Sequence, residues 1–234
     1  MDKYTAVIPV RKDSRRLKNK NIAPFAGSTL LEHKINVLKS ISVIDNIVVS
    51  SDCDTMLSIA DSLGLETHKR NPEYCDEKTK PFGSVVKHIC EKVASENIIW
   101  SPVTAPLVTI KTYCESINEY EKYVLNENKF NSLITVYPFK NYLLNKSGPI
   151  NYEYGLKHIP SQNLEEIYLL TAGIFIANRQ DMIKWSYLNG DSPYMKSLSR
   201  FESVDIDDEY DLDLASFYYE KYMKDIFIQE IYFE

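Results

Sequence analysis

Six basic side chains crowd the stretch from Ile8 to Ile22, "IPVRKDSRRLKNKNI": Arg11, Lys12, Arg15, Arg16, Lys18 and Lys20. The chain around them is acidic, with a formal net charge of -6. Lys and Arg clustered directly after an apolar run can neutralise a compact polyanion such as a triphosphate, assisted by backbone N–H groups and a helix start. The loop is neither a Walker A element nor a dinucleotide fingerprint, since G-x-x-x-x-G-K-[ST] and G-x-G-x-x-G are both absent. Composition alone leaves a solvated charged loop as an equal reading, because charge runs commonly face water. The second chemical pair is Asp205 and Asp207, in "SVDID". Period two along a strand sets both carboxylates on one face and Ile206 on the other. Adjacent carboxylates repel, and a hard divalent cation relieves this. The competing reading is structural, with Asp207 or Asp208 capping the helix that opens at "EYDLDLA".

These residues need elements to place them. "YTAVIPV", "DNIVVSSD", "LETHKR", "ENIIWSPV" and "NSLITVYPF" read as strands. Between them, "STLLEHKINVLKSI", "CDTMLSIADSLG", "GSVVKHICEKVA" and "TIKTYCESINEYEKYV" read as helices, with Ser28 as N-cap of the first and Gly64 closing the second. The alternation predicts an α/β fold: a mainly parallel, doubly wound, Rossmann-like sheet covered on both faces. It breaks at about 140–170, a polar, aromatic and turn-rich stretch read as an inserted arm. "LLTAGIFIA" and "ESVDID" then read as strands and "DEYDLDLASFYYEKYMKDI" as a closing helix. In open α/β sheets ligands bind beyond the carboxyl ends of the strands. The basic loop, Ser50–Asp52, Ser101–Pro106 and Asp205–Asp207 all lie at such ends and are expected to converge on one site.

The bounds set by composition agree. With 234 residues, 44% of them hydrophobic, one domain over 1–234 with a protruding arm is expected. No apolar run is long enough for a bilayer, and the first residues lack the pattern of a signal peptide, so a soluble cytoplasmic protein is expected, with no membrane partner. Cys53, Cys75, Cys90 and Cys114 form no C-x-x-C pair and read as reduced packing residues. An acidic chain with one basic loop speaks against nucleic acid, which asks for a broad basic face. His33, His68 and His88 read as packing or surface groups, His158 as an arm residue able to face a substrate, and Trp100 and Trp185 as core or pocket wall.

The spacing of the basic loop adds a resemblance. P-x-R-x-x-S-[KR]-R-x-x-x-K-N-[IL], carried by Pro9, Arg11, Ser14, Arg15, Arg16, Lys20, Asn21 and Ile22, resembles the signature of the CMP-sugar synthetases. This is the acylneuraminate cytidylyltransferase family, with its pseudaminic and legionaminic acid enzymes. "VSSDCDTMLSIADSLGL", "KRNPEYCDEKTKPFGSVVKHI", "SPVTAPL" and "SVDIDDEYDLDLA" are similar to further family segments in the same order. The resemblance implies a nucleotidyltransferase that joins CTP to a sugar acid, giving the CMP-sugar and pyrophosphate with help from Mg²⁺. It implies that Arg11, Ser14, Arg15, Lys20, Asn21, Arg70 and Ser84 hold CTP. Lys20 would act on the α-phosphate and Arg11 on the leaving pyrophosphate, while Asp205 and Asp207 hold the metal. Relatives tend to pair through an arm, so a homodimer with 140–168 at its interface is expected.

The chain departs from the family in three places. Lys12 and Asp13 stand where the family has paired glycines, and Pro102 stands where it has a glutamine. "PSQNLEEIYLLTAGIF" resembles the acceptor-reading stretch. There Gln162, Thr171 and Phe175 are the acceptor-binding candidates, but Ser161 and Leu169 replace the family's two arginines. The nucleotide half thus matches better than the acceptor half. Two alternatives stay open: the same chemistry on a non-ulosonate acceptor, and a catalytically weak CTP-binding relative.

Overall fold

A computed structural model describes residues 2–14, 16–76 and 78–233, the last three without their side chains. In chain order the main sheet is built from β1 (Asp2–Pro9), β2 (Asn46–Ser51), β3 (Glu66–Lys69), β4 (Ser95–Trp100), β5 (Ser132–Phe139), β6 (Ile167–Asn178) and β7 (Pro193–Ser197). Their spatial order is β7-β5-β6-β4-β1-β2-β3. β6 runs antiparallel to β4 and β5, and every other pairing is parallel. The helices are α1 (Leu30–Lys39), α2 (Asp54–Ser62), α3 (Phe82–Lys92), α4 (Ile110–Tyr120), α5 (Arg179–Trp185), α6 (Glu209–Tyr218) and α7 (Lys224–Phe233). The expected mainly parallel α/β sheet is therefore present.

Both faces of the sheet are buried, so alternate residues of each strand serve two separate cores. Tyr4, Ala6 and Ile8 of β1, with Ile99 of β4 and Ile176 of β6, pack into one core beneath α1 and α4. Val7, Ile98, Trp100, Phe175 and Ala177 face the other, against α3 and α5. Among the described residues no helix is long and apolar enough to cross a membrane.

Local signals explain most element ends. α1 is capped by Thr29, not Ser28: its hydroxyl accepts from the Glu32 amide while the Glu32 carboxylate accepts from the Thr29 amide. This reciprocal box satisfies two otherwise orphaned N–H groups. α2 ends as expected at Gly64, whose φ of 74° lets its own amide reach Asp61 O and that of Leu65 reach Ala60 O.

Two expected elements are corrected. Residues 203–207 form no strand; Ser203 closes a turn and 204–207 join no ladder, tied to the loop after β4 by Ile206 N–H donating to Thr104 O at 2.8 Å. The seventh strand is instead β7, parallel to β5 at the sheet edge and opened by Pro193. Proline is tolerated at the first residue of an edge strand. The arm also ends earlier than Leu170, because β6 begins at Ile167. It holds a small hairpin pairing Leu144–Asn145 with Gly148–Pro149. Tyr142 packs on Tyr152 and His158 with ring centroids 4.9 and 4.8 Å apart, so His158 sits within the arm's own aromatic cluster.

Candidate active site

The loop after β1 is held open by its own side chains. Asn21 is buried and donates through Nδ2 to Arg11 O at 2.9 Å, and the Lys12 amide donates to Asp52 Oδ1 at 2.9 Å. Arg11 donates to Cys75 O at 3.0 Å. Asn19, in the left-handed region at φ 56°, turns the chain into the single turn Lys20–Ile22. Asn tolerates that region better than most residues. The turn aims Lys20 across the cleft, where Nζ donates to Ile206 O at 2.7 Å and stands 3.6 Å from Asp207 Oδ1.

The cleft that results holds about 430 Å³. Arg11, Ser14, Lys20, Asn21, Arg70 and Asp205 supply its polar wall. Arg70 is 4% exposed and supports the basic loop from below, donating to Val10 O and, at 3.0 Å, to Cys75 Sγ. Burial pushes the Cys75 thiol up, so it stands there as a neutral acceptor. The opposite wall is apolar: Tyr74, Phe82, Val85 and Trp100. Tyr74 is stacked flat on His88, with centroids 4.0 Å apart. Gly83 lets the start of α3 approach the backbone of Ser186, since a Cβ there would collide with that carbonyl. A cleft with a cationic side and an aromatic side suits a phosphorylated ligand carrying a flat or ring-shaped group.

The basic loop, Thr104 and Asp205 converge on this cleft. Asp52 does not; with Arg11, Asp13 and Lys78 it lines an adjoining hollow of about 330 Å³. Asp13, the acid that replaces a glycine, therefore stands in the side hollow. Arg15 lies outside the described residues. Ser84 sits in the first turn of α3 and is not part of the cleft lining. The acceptor candidates are not brought to the cleft. Gln162 is exposed on the arm, and Phe175 is buried in the α3/α5 core. The Thr171 hydroxyl is engaged by Thr135, donating to its carbonyl at 2.9 Å. Inward-facing positions of β6 explain the last two: Thr171 is held against β5 and Phe175 packs toward α3, out of reach of a ligand.

The two aspartates differ. Asp205 lines the cleft beside Thr104, and although the residue is open to solvent, the protein atoms around its carboxyl push its titration up by desolvation. The charges of Asp207 and Asp211 add to that push. Asp207 is paired with Arg16 at 2.5 Å and does not cap α6. The cap is Asp208, in a reciprocal box with Asp211. Among the described residues no three His, Cys, Asp or Glu side chains gather as a metal cage. Two carboxylates completed by substrate phosphates are the usual way a protein holds Mg²⁺. The strained ionisation of Asp205 beside Asp207 fits such a donor set.

Sequence reasoning missed several contributors. Tyr74 and Phe82 lie in a segment similar to the family's but were not singled out within it, and Arg16 gained its partner through a contact 191 positions away. Lys34, wholly buried on α1, gave no signal beyond a charge at a core-facing helical position.

The comparisons with known proteins agree with this geometry. The chain is 25% identical over 227 residues to the pseudaminic acid cytidylyltransferase of Campylobacter jejuni, covering 93% of this chain and 96% of that protein. It is also 25% identical to the N-acylneuraminate cytidylyltransferase of Escherichia coli, spanning 91% of this chain and about half, 51%, of that longer relative. Among solved structures, a CMP:2-keto-3-deoxy-manno-octonic acid synthetase complexed with CTP superposes with a TM-score of 0.66 over 94% of this chain and 99% of that one. A cytidylyltransferase from Leptospira borgpetersenii gives 0.63 over 99% and 92%. At 11% and 15% identity these two speak for the fold. The family model described as cytidylyltransferase matches residues 5–184, and the chain belongs to that family.

Proposed function

We propose that this cytidylyltransferase joins CTP to a sugar acid, forming a CMP-sugar and releasing pyrophosphate, as one unit over 1–234 with the arm inserted. The observation that carries the reading is the convergence of Arg11, Ser14, Lys20 and Arg70 with Asp205 in a single cleft beyond the end of β1. The relatives' names supply the substrate class: pseudaminic acid and N-acylneuraminate cytidylyltransferases. In the step proposed, the acceptor hydroxyl oxygen bonds to the α-phosphorus of CTP. The bond from that phosphorus to the β-bridging oxygen breaks, pyrophosphate leaves and the hydroxyl proton is released. Negative charge gathers on the phosphate oxygens, so catalysis rests on positioning and on prearranged positive charge. Lys20 faces the α-phosphate and Arg11 the departing pyrophosphate. Asn21 and Arg70 hold the loop that carries them, and Ser14, Arg15 and Ser84 complete the nucleotide site. Asp205 and Asp207 would hold Mg²⁺, which when bound offsets charge on the phosphates. Asp207 reaches that role by releasing Arg16. A homodimer working in the cytoplasm, where CTP is made, completes the reading.

One observation favours a narrower variant of the acceptor. Ser161 and Leu169 offer no positive charge, and Thr171 and Phe175 are internal. The acceptor is then read from the cleft's own wall, by Phe82, Tyr74 and Trp100, in place of Gln162 and its neighbours on the arm and β6. The test is pyrophosphate release with CTP and Mg²⁺ against a panel of nonulosonic acids, other sugar acids and phosphorylated polyols. Turnover with one of the sugar acids is the expected result. Turnover confined to phosphorylated polyols moves the acceptor. No turnover with any, beside equal thermal stabilisation by all four nucleoside triphosphates, overturns the reading.

A further inference from the structure

A lysine with no exposed surface lies beneath the cleft. Lys34, on the second turn of α1, is 0% exposed. Its Nζ donates to Ala105 O at 2.8 Å and lies 3.0 Å from the Tyr113 hydroxyl of α4. That hydroxyl in turn meets Ser101 Oγ in a short hydrogen bond. His33, the preceding residue, sits with Nε2 2.9 Å from Pro106 O. The carbonyl one residue before Ala105, Thr104 O, accepts from Ile206 N–H at 2.8 Å. Three successive carbonyls of the loop after β4 are therefore held, two from below by α1 and one from above by the segment of the aspartates. The Thr104 side chain also stands beside the Asp205 carboxyl and favours its charged form, and Ile206 O receives the Lys20 ammonium. The path from Lys34 through Ala105 and Thr104 to Asp205 and Lys20 is thus continuous, each link a hydrogen bond or a peptide unit.

Burying an amine is costly, and an apolar side chain of similar volume would fill the space with less penalty. What Lys34 offers that Met cannot is a donor at the end of a long stem, delivered to a buried carbonyl that no other donor meets among the described residues. A buried carbonyl left without a donor shifts or admits water. We propose that Lys34 is a positioning residue for the transfer reaction: by holding Ala105 O it fixes the 101–106 loop, and through Thr104 and Ile206 it sets where Asp205 and Lys20 stand in the cleft. Both protonation states of the amine can donate to Ala105 O, so the tether persists while the direction of the Tyr113–Ser101 pair can reverse. Burial brings the Lys34 ammonium down to about 7, close to working conditions. The titratable groups facing it are His33 on its own helix and Tyr113 on α4. The inference rests on the proposed cleft chemistry, yet its structural arm can be read without an acceptor.

The experiment compares the whole protein with Lys34→Met and Tyr113→Phe. Peptide-level amide hydrogen exchange without ligand should show the peptides holding residues 103–107 and 204–208 exchanging roughly tenfold faster or more in Lys34→Met, because an unlatched loop opens locally without global unfolding. The melting temperature should stay near that of the wild type. Pyrophosphate release with the acceptor that the wild type uses should show kcat lowered about 10- to 100-fold, with KM for CTP changed much less, the cost of misplacing groups by a fraction of an ångström. Tyr113→Phe should move both readouts the same way by less. Unchanged exchange in those two segments overturns the proposal whether or not an acceptor is known. A lowered melting temperature with wild-type kcat in the folded fraction also overturns it, making Lys34 a packing residue. A wild type that releases no pyrophosphate with any acceptor fails the functional reading instead, and the exchange result still decides this one.

Discussion

Asp207 and Asp208 are neighbours with different partners, and substitution should separate them. Asp208 closes the cap of α6, accepting from the Asp211 amide at 3.1 Å while Asp211 accepts from the Asp208 amide at 3.2 Å. Asp208→Ala should therefore lower stability by about 0.5–2 kcal/mol, the usual cost of an N-cap, and leave turnover largely intact at a temperature where the protein is folded. Asp207 has its carboxylate between Arg16 and Lys20, with both Asp207 and Arg16 well exposed. Such pairs are worth about 0–1 kcal/mol after screening, so Asp207→Ala should barely move the melting temperature. Its effect should fall on turnover with saturating Mg²⁺ and CTP, lowered at least about tenfold as a charge facing the phosphates is lost. Thermal unfolding beside pyrophosphate release for both variants checks this. Lost stability with retained turnover in Asp207→Ala would return the residue to a structural role. The sequence could not choose between the two acids, because either begins "EYDLDLA" acceptably. Only the tertiary partner Arg16, distant in sequence, breaks the tie. The basic loop, by contrast, was legible because its charges and its turn residues are neighbours in the chain.

At the scale of elements, α1 and α4 clamp the 101–106 loop through a buried amine, and this should give a pH signature. Unfolded, Lys34 titrates near 10.5; folded, burial brings it to about 7. Between those values the unfolded chain carries a proton that the folded chain lacks. Stability from this group therefore rises with pH from about 7 to about 10.5, at no more than about 1.4 kcal/mol per pH unit. Below about 7 both states are protonated and the penalty is constant. His33, brought down by burial to about 4, contributes a separate rise between about 4 and 6.5. Cys90, pushed by burial up to about 12 from 9.0, works the other way above pH 9. Melting temperatures of wild type and Lys34→Met should accordingly be compared between pH 7 and 8.5. The wild type should gain on the variant as pH rises through that window; a constant difference would mean that Lys34 does not titrate there. The elements themselves were readable where periodicity was strong. β1, β2, β4 and β5 alternate between two cores, and α1 to α4 show their apolar stripes. What failed was the edge. β7 is five residues opening on Pro193, half-exposed and without an apolar run, so nothing local distinguishes it from a loop. "SVDID" alternates as a strand should, yet the position beside β5 is already filled by β7; Ser203 and Val204 bond back to Ser199 and Phe201 in a local turn, and Ile206 to Thr104 is the backbone bond that ties the segment to the loop after β4.

For the whole molecule, the open question is what covers the arm. Tyr142, Tyr152 and His158 hold it together from within, so it is a formed unit. Its outer surface carries large apolar side chains among charged ones: Leu144, Ile150, Tyr154 and Leu156 are all more than half exposed, Leu156 entirely. Leu169 and Leu170 continue the exposure onto the start of β6. A soluble monomer rarely leaves so much apolar surface together, and such patches mark interfaces. A second copy is the occupant proposed, because closed two-fold pairing lets one patch cover itself. Light scattering at micromolar concentration should then give about twice 27.1 kDa. The double variant Ile150→Asp, Leu156→Asp should return the mass to that of one chain with little change in the far-ultraviolet circular dichroism, since neither side chain belongs to a core. A contrast is needed, because Phe217 and Tyr222 on the closing helices are also exposed. Phe217→Asp should leave the mass doubled if the arm is the interface. A wild type of one-chain mass, or a mass halved by Phe217→Asp and untouched by the arm variant, would remove the arm from that role. The cleft is built from one chain's residues 9–104 and Asp205, none of them on the arm. Dissociation by the arm variant should therefore leave CTP-induced thermal stabilisation in place, which separates loss of pairing from loss of the site.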